Sequence, residues 1–99
     1  MPEGAFMRQL IEAAEWQGWM VYHTYDARMC EPGFPDLVMV HPLKHRMFFA
    51  EIKREQGRLS KDQLIWIGAL MLVPGAEVYV WRPRDIDAAM ATLAKREGE

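Results

Sequence analysis

The fold is decided by one stretch of the sequence, residues 33–53, which reads GFPDLVMVHPLKHRMFFAEIK. Two largely apolar runs, residues 37–41 and 47–53, are separated by a short polar segment that begins with a proline. Runs of this length that are rich in Val, Phe and Ile are typical of β-strands. We therefore predict a hairpin of two antiparallel strands, with the first strand covered on both faces.

Charged side chains gather at one end of this hairpin. Asp36 opens the first strand, and Glu51 and Lys53 lie two residues apart on the second strand, so they point to the same face. The three groups can converge at one end of a sheet that is otherwise apolar. A structural ion pair is the simpler interpretation of Glu51 and Lys53 alone. The Pro35-Asp36 pair on the neighbouring strand favours a functional site instead.

The elements on either side of the hairpin follow from periodicity and from capping residues. Apolar residues at helical spacing predict helices, and alternating ones predict strands. Ser60 and Asp85 are suited to cap the helices that follow them. The predicted elements are a helix over residues 4–17, a strand over 19–25, the hairpin, a helix to about Leu72, a strand over 76–81 and a helix to about Arg96. The order αβββαβα indicates an α/β fold with a mixed sheet of about four strands flanked by helices.

Length and composition limit the class of protein. A chain of 99 residues predicts one domain over residues 1–99. Its single cysteine, Cys30, excludes an internal disulfide and favours a reducing cytoplasm. The longest uncharged apolar run is too short for a membrane span, so we expect no membrane association. The net charge of −2 does not by itself favour nucleic-acid binding, but residues 28–62 carry seven basic and five acidic side chains.

The residue types at the hairpin end indicate a particular chemistry. Two carboxylates, Asp36 and Glu51, can hold Mg²⁺ or Mn²⁺, which prefer oxygen ligands. Such an ion can polarise a phosphoryl oxygen and lower the pKa of a bound water, while Lys53 can stabilise the developing charge. We therefore predict a metal-dependent phosphodiester hydrolase that uses no organic cofactor. The spacing of His and Cys does not suit zinc, and His23 is a less favoured candidate for a general base.

A resemblance to a known family adds to this interpretation. Pro35-Asp36 followed by Glu51-x-Lys53 resembles the PD-(D/E)xK signature of restriction-endonuclease-like nucleases. The wider pattern resembles the VRR-NUC family, the virus-type replication-repair nucleases, in their standalone form. That pattern comprises Gly33-x-Pro35-Asp36-Leu37, Phe49-x-Glu51-Ile52-Lys53, Gly57-Arg58-Leu59-Ser60 and Gln63, and the resemblance runs from Glu3 to Trp81. It implies a three-layer sandwich and a nuclease that acts on DNA.

The resemblance also implies further site residues. Gln63 matches a glutamine that follows the Glu-x-Lys strand and would be catalytic. Glu3, fifteen residues before Gly18, matches an acidic residue of the first helix and would complete the metal site. The backbone carbonyl of Ile52 would supply a further metal ligand. Glu12 and Glu15 are rivals of Glu3, although a solvated helix face explains both of them more simply.

Basic residues around the candidate site are predicted to contact DNA phosphates. Those that flank the carboxylates are Arg28, Arg54, Arg58 and Lys61, together with Ser60. Lys44 and Arg46 lie at the hairpin turn, where a basic tip could follow a DNA backbone or could serve only to keep the turn soluble.

The helix after Ser60 predicts an assembly. Its segment from Leu64 to Leu72 contains no polar residue, and a helix that is apolar on all sides must be covered on all sides. We therefore expect a homodimer, with an interface formed by Leu64, Ile67, Gly68 and Met71.

The resemblance, taken with a two-fold assembly, implies cleavage of branched DNA and in particular resolution of four-way (Holliday) junctions in a bacterial or phage-infected cell. A flap or end-processing nuclease of the same fold and a non-catalytic DNA-binding module are the alternatives.

Overall fold

A computed structural model of the protein describes residues 3–24 and 29–96. These residues form α1 (Glu3–Trp16), β1 (Met20–His23), β2 (Leu37–His41), β3 (Arg46–Ile52), α2 (Lys61–Met71), β4 (Glu77–Trp81) and α3 (Ile86–Ala94). A short 3-10 turn, Pro83–Asp85, comes directly before α3. The predicted order αβββαβα is confirmed.

The four described strands form one mixed sheet in the order β1-β2-β3-β4. The predicted hairpin is present: β2 and β3 are antiparallel, with Leu37 opposite Ala50 and His41 opposite Arg46. β1 is antiparallel to β2, and β4 is parallel to β3. Strands β1, β3 and β4 therefore all end at the same edge of the sheet, where β2 begins. We call this edge, which runs from His23 to Trp81, the site edge.

Helices cover both faces of the sheet, as expected for a three-layer sandwich. α1 and α3 pack on one face, where their buried side chains Phe6, Leu10 and Leu93 join Phe48 and Ala50 of β3 in the main core. α2 lies on the opposite face and contacts β4. On that face Phe34 packs edge-on between Trp66 of α2, at 5.2 Å between ring centroids, and Phe49 of β3, at 6.1 Å.

The expectation that β2 is covered on both faces is wrong. Leu37 and Met39, which face α1 and α3, are fully buried, but Val40 on the other face is 36% exposed. α2 lies over the β4 side of the sheet and leaves the β1–β2 side of this face uncovered. Met20 and Tyr22 of β1 are also exposed there. A large apolar area therefore remains open on the α2 side.

Two further boundaries differ from the predictions. Trp19 does not start a strand, because its N–H donates to the Ala14 carbonyl at the end of α1; Tyr25, predicted as the end of that strand, lies outside the described residues. Asp85 does not cap α3 with its side chain, because its carboxylate accepts from the Arg82 N–H at 2.8 Å. No helix in residues 3–24 and 29–96 has the length and apolarity needed to cross a membrane.

Candidate active site

Asp36 and Glu51 are held together by the hairpin. Continuing the register beyond Leu37 and Ala50 places them opposite each other at the site edge. The Asp36 N–H donates to Glu51 Oε1 at 3.3 Å, and the Ile52 N–H donates to Asp36 Oδ2 at 2.8 Å. Each carboxylate thus accepts from the peptide chain beside the other. The structure places the two acidic groups side by side, with Asp36 directly before β2 and Glu51 on β3.

The segment before Asp36 fixes its position by close packing. Pro35 is fully buried. Gly33 adopts a positive φ of 85°, and a Cβ at this position would collide with the backbone of Asp62 in the first turn of α2. A residue with a side chain would be strained there by its backbone conformation and by the collision. The Gly-x-Pro-Asp pattern is therefore explained by the approach of this segment to α2.

Glu51 has an unusual environment for a carboxylate. Only 2% of the residue is exposed. Burial, followed by the negative charge of Asp36, raises the pKa of Glu51 to about 8, although the charge of Lys53 acts in the opposite direction. A carboxylate that is buried beside a second acidic group is difficult to ionise unless positive charge lies nearby. The electrostatics therefore favour the arrival of a cation or a proton.

Lys53 and Gln63 complete a contact shell around Glu51. Lys53 Nζ lies 3.7 Å from Glu51 Oε2, and the Lys53 N–H donates to the Trp81 carbonyl of β4 at 2.9 Å. Gln63, in the first turn of α2, donates from Nε2 to Glu51 Oε2 at 2.6 Å. The four residues predicted to be catalytic, which are Asp36, Glu51, Lys53 and Gln63, are therefore adjacent in the structure.

The predicted metal ligands are described only in part. Glu3 belongs to α1, but its side chain lies outside the described residues. The rivals Glu12 and Glu15 are exposed on α1 and line clefts beside His23 at the end of β1. No cluster of three His, Cys, Asp or Glu side chains suited to a metal occurs within residues 3–24 and 29–96. Of the predicted acidic ligands, Asp36 and Glu51 are the two whose side chains the structure describes.

The basic residues of the hairpin turn are not at the site. Five residue steps of β3 separate Arg46 from Glu51, a distance of about 16 Å at the usual strand rise. The Arg46 guanidinium donates to both carboxylate oxygens of Glu77, at 2.7 and 2.9 Å, and to the carbonyls of Thr92 and Lys95. Only 4% of the Arg46 side chain is exposed. The prediction that Arg46 contacts DNA is therefore wrong.

Lys44 has a similar structural role. Its Nζ donates to the Leu93 carbonyl at 2.8 Å, beside the Trp19 indole, whose Nε1 donates to the same oxygen at 3.0 Å. Together with Arg46, these donors satisfy carbonyls at the end of α3, where the helix leaves them without partners. The basic hairpin turn is a cap for α3, and this explains its charge without DNA.

The other predicted DNA contacts lie near the site edge. Arg54, Arg58, Ser60 and Lys61 are exposed, in the loop after β3 and at the start of α2. Ser60 caps α2: its Oγ accepts from the Gln63 N–H at 3.1 Å. Arg28 lies outside the described residues.

One supporting residue of the site edge was not predicted. Arg82 follows β4 and donates from Nη2 to the Gly57 carbonyl at 2.6 Å, which ties the loop after β3 to the end of β4. Glu55 of the same loop accepts from the Arg84 N–H at 2.7 Å. Both contacts could have been inferred from parallel pairing of β3 and β4, because the residues that follow parallel strands meet at one edge of the sheet.

Comparisons with known proteins match most of the chain to one family of domains. A sequence profile of the VRR-NUC domain matches residues 4–85. The Fanconi-associated nuclease 1 homolog of Schizosaccharomyces pombe is 38% identical over 48 residues, which are 48% of this chain and 7% of that protein. Human Fanconi-associated nuclease 1 is 35% identical over 69 residues, 70% of this chain and 7% of that protein.

The chain spans only about 7% of the length of these curated relatives. No solved structure matches it. The profile match covers Asp36, Glu51, Lys53 and Gln63, the residues that the structure brings together at the site edge. The chain therefore belongs to the VRR-NUC family of nuclease domains.

Proposed function

We propose that the protein is a metal-dependent endonuclease that hydrolyses phosphodiester bonds of branched DNA. The observation that carries this proposal is the pairing of Asp36 with Glu51, in which each carboxylate accepts from the peptide chain beside the other, with Lys53 Nζ 3.7 Å from Glu51 Oε2. Two carboxylates and one ammonium group suit a reaction in which a cation and a lysine neutralise a phosphate.

The donor set fits Mg²⁺ or Mn²⁺. Asp36 and Glu51 offer carboxylate oxygens, and the raised pKa of Glu51 reflects a lack of positive charge that a divalent cation would supply. The carbonyl of Ile52 and the carboxylate of Glu3 are the further ligands that we propose. When bound, the ion would polarise the phosphoryl oxygen and make a water molecule more nucleophilic.

The protein's own groups would orient the substrate and balance its charge. Lys53 is 17% exposed, so its ammonium group can approach a phosphate while it remains near Glu51. In that position it would stabilise negative charge that develops on the phosphate oxygens. Gln63 would hold the Glu51 carboxylate in place through its hydrogen bond to Oε2.

Cleavage assays with charge-neutral variants test the proposal. Asp36→Asn keeps an oxygen that can accept from the Ile52 N–H but removes a charge, and we expect cleavage to fall below detection. Lys53→Met should lower kcat about 10²–10³-fold. Asp87→Asn, on the exposed surface of α3, is the matched control and should cleave normally. Cleavage that persists in both site variants, or in the presence of EDTA, would contradict a metal-dependent site at Asp36.

DNA would approach over the loop that follows β3. Arg54, Arg58 and Lys61 are exposed in or beside this loop, close in sequence to Lys53. The contact from Arg82 to the Gly57 carbonyl holds the loop against β4. Phosphate contacts from such residues give affinity without base readout, which suits an enzyme that selects the shape of its substrate.

We further propose that the enzyme is a homodimer. Its interface would be the α2-side apolar surface, which we define by exposed residues on the uncovered strands, on α2 and directly after it: Met20, Tyr22, Val40, Met47, Leu64, Ile65, Gly68, Met71, Leu72 and Val73. Met20 pairs with Val40 and Val40 with Met47, so the surface crosses three strands. A cleft lined by Met47, Leu70 and Val73 joins it to the end of α2. Apolar areas of this extent are typical of interfaces.

The predicted interface needs one change. Gly68 and Met71 are exposed, as is Leu64, but Ile67 is buried against the sheet with 9% of its surface exposed. Ile67 therefore stabilises the monomer and is omitted from the surface. Sedimentation of the wild-type protein should show a dimer, and Met71→Glu should yield monomer. Trp16→Ser removes an apolar residue that lies outside the surface and is even more exposed than Met71, and it should leave the dimer intact. A wild-type monomer at micromolar concentration would contradict the proposal.

Two active sites related by a two-fold axis would suit a four-way junction, and we propose this junction as the preferred substrate. A panel of labelled four-way junctions, flaps, nicked duplexes and linear duplexes tests it. Paired symmetrical incisions in the junction support resolution. Preferential cleavage of flaps or free ends would mean that the protein is a flap or end-processing nuclease and not a junction resolvase. Binding without any cleavage would indicate a non-catalytic DNA-binding module. A reducing, cytoplasmic setting stays a prediction from the single cysteine.

A further inference from the structure

The first turn of α2 is connected to the site by a chain of hydrogen bonds. Ser60 occupies the N-cap position with φ −74° and ψ 167°, and its Oγ accepts from the Gln63 N–H at 3.1 Å. In return, the Ser60 N–H donates to Gln63 Oε1 at 2.8 Å. This reciprocal capping box normally serves only to satisfy the peptide groups of a helix start. Here the same glutamine also contacts Glu51.

The capping box decides which end of the Gln63 amide faces the site. A glutamine amide has one accepting oxygen and one donating NH₂ group. Because the Ser60 N–H can bond only to the oxygen, the NH₂ group is left for Glu51 Oε2, at 2.6 Å. The reverse orientation would place two donors together at Ser60 and two oxygens together at Glu51. The helix cap therefore fixes the direction of the amide.

A second contact joins this turn to the other carboxylate. Gly33 packs so closely on the backbone of Asp62 that no side chain would fit between them. Gly33 leads through the buried Pro35 to Asp36. The first turn of α2 thus supports Glu51 through a hydrogen bond and Asp36 through packing.

We propose that Ser60 is a positioning residue of the active site, which acts through Gln63 to hold the Glu51 carboxylate beside Asp36. The inference rests on the proposed function in one respect, namely that Glu51 is a metal ligand. It assigns Gln63 the role of hydrogen-bond donor to Glu51. While α2 is capped, the Gln63 oxygen is directed toward the Ser60 N–H and the NH₂ group toward Glu51.

The orientation of Gln63 can be measured in the metal-free protein. We would record the heteronuclear NOE of the Gln63 side-chain amide by NMR, with exposed Gln9 and Gln56 as mobile references in the same spectrum. The wild-type Gln63 amide should be ordered. Ser60→Ala, and Ser60→Gly, which costs the helix less stability, should both reduce its NOE toward the value of the references. Ser60→Thr keeps a capping hydroxyl and should restore order.

A control separates positioning from simple loss of stability. Ile67→Val removes one methylene group from the buried side of α2 and should lower the Tm by a few degrees, about as much as Ser60→Ala. It should leave the Gln63 amide ordered. If Gln63 remains ordered in both Ser60→Ala and Ser60→Gly, or is as mobile as Gln9 in the wild type, the proposal is overturned.

Calorimetric titration with Mn²⁺ measures how the positioning of Glu51 affects metal binding. Gln63→Ala should raise the Kd about tenfold, as expected when a residue that orients a metal ligand is lost, and Ser60→Gly should raise it by a smaller factor. Ile67→Val and Ser60→Thr should bind as the wild type does. An unchanged Kd in Ser60→Gly, despite a mobile Gln63, also overturns the positioning role. A wild-type protein that binds no Mn²⁺ would contradict the proposed function, while the NMR comparison would still decide the role of Ser60.

Discussion

Replacement of Arg46 by methionine should destabilise the protein severely. The Arg46 side chain is 4% exposed and makes four hydrogen bonds, two to Glu77 and one each to the carbonyls of Thr92 and Lys95. Its guanidinium carbon also lies 5.0 Å from the centre of the Trp19 ring. Methionine retains much of the apolar length of arginine but none of these bonds.

The expected loss of stability follows from the groups that lose their hydrogen-bond donor. Arg46→Met leaves the half-buried Glu77 carboxylate and the Thr92 and Lys95 carbonyls without their donor, and together these losses should cost about 3–5 kcal/mol. Small domains have a total stability of about 5–15 kcal/mol, so Arg46→Met would remove a large part of it. The Tm of a domain of this size should fall by roughly 15–30 °C. Arg54→Met, at an exposed position, is the matched control and should change stability by less than about 0.5 kcal/mol.

The assay is urea denaturation followed by tryptophan fluorescence and circular dichroism, with Glu77→Gln and the double variant included. Because the double variant leaves no unpaired charge, its destabilisation should be smaller than the sum of the two single values by about 1–3 kcal/mol. Arg46 holds the pKa of Glu77 below its usual range. A lowered carboxyl pKa gives stability that is present above the unfolded value and is lost as pH falls, so the difference between wild type and Arg46→Met should shrink in acid.

Two results would refute this reasoning. An Arg46→Met protein that unfolds within about 1 kcal/mol of the wild type would mean that the buried network contributes little. A variant of normal stability that binds DNA poorly would return Arg46 to the DNA-contact role predicted from the sequence.

Three further predictions concern the site edge. Gly33→Ala should cost roughly 2–4 kcal/mol in denaturant unfolding, because its positive φ and its contact with α2 both exclude a side chain; normal stability would contradict the packing argument. The raised pKa of Glu51, about 8, means that the folded metal-free protein holds a proton which the unfolded chain loses above about pH 4.5. Its stability should therefore fall as pH rises from 5 to 8, and a denaturation series should show a flatter profile for Glu51→Gln. Arg54→Ala should lower the slope of log K against log salt for DNA binding by about 1, whereas Lys44→Ala should leave that slope unchanged; equal slopes in the two variants would remove Arg54 from the DNA surface.

The meeting of Asp36 with Glu51 and Lys53 could be predicted because it depends on local rules. Side chains alternate along a strand, and a short turn fixes the register of a hairpin. Gln63 follows the hairpin in the first turn of a helix whose N-cap, Ser60, is recognisable in the sequence. Its place in the site was implied by family resemblance, whereas its contact with Glu51 and the orientation of its amide are visible only in the structure.

Local rules could not predict which of the arginines is buried and which is exposed. Arg46 is the first residue of β3 and Arg54 follows its end, and their neighbours in sequence do not distinguish a buried residue from an exposed one. The difference lies in α3, whose last carbonyls meet Arg46 from 46 residues further along the chain. Similarly, α2 is apolar on all sides, so its sequence has no periodicity that could single out Ile67 as buried and Met71 as exposed.

The cap that the hairpin provides for α3 has a consequence for the order of folding. The side chains of Trp19, Lys44 and Arg46 donate to carbonyls that lie 74, 49 and 46 residues later in the chain. Contacts between such distant segments form late, because the intervening loop must be ordered first. On the ribosome, the sheet can assemble and Arg46 can pair with Glu77 of β4 before the Thr92 and Lys95 carbonyls emerge, so two of its four hydrogen bonds form only when α3 docks. Docking of α3 is therefore expected to be the step that commits the chain to its native state, and a chain cut before Thr92 should be a substrate for proteolysis.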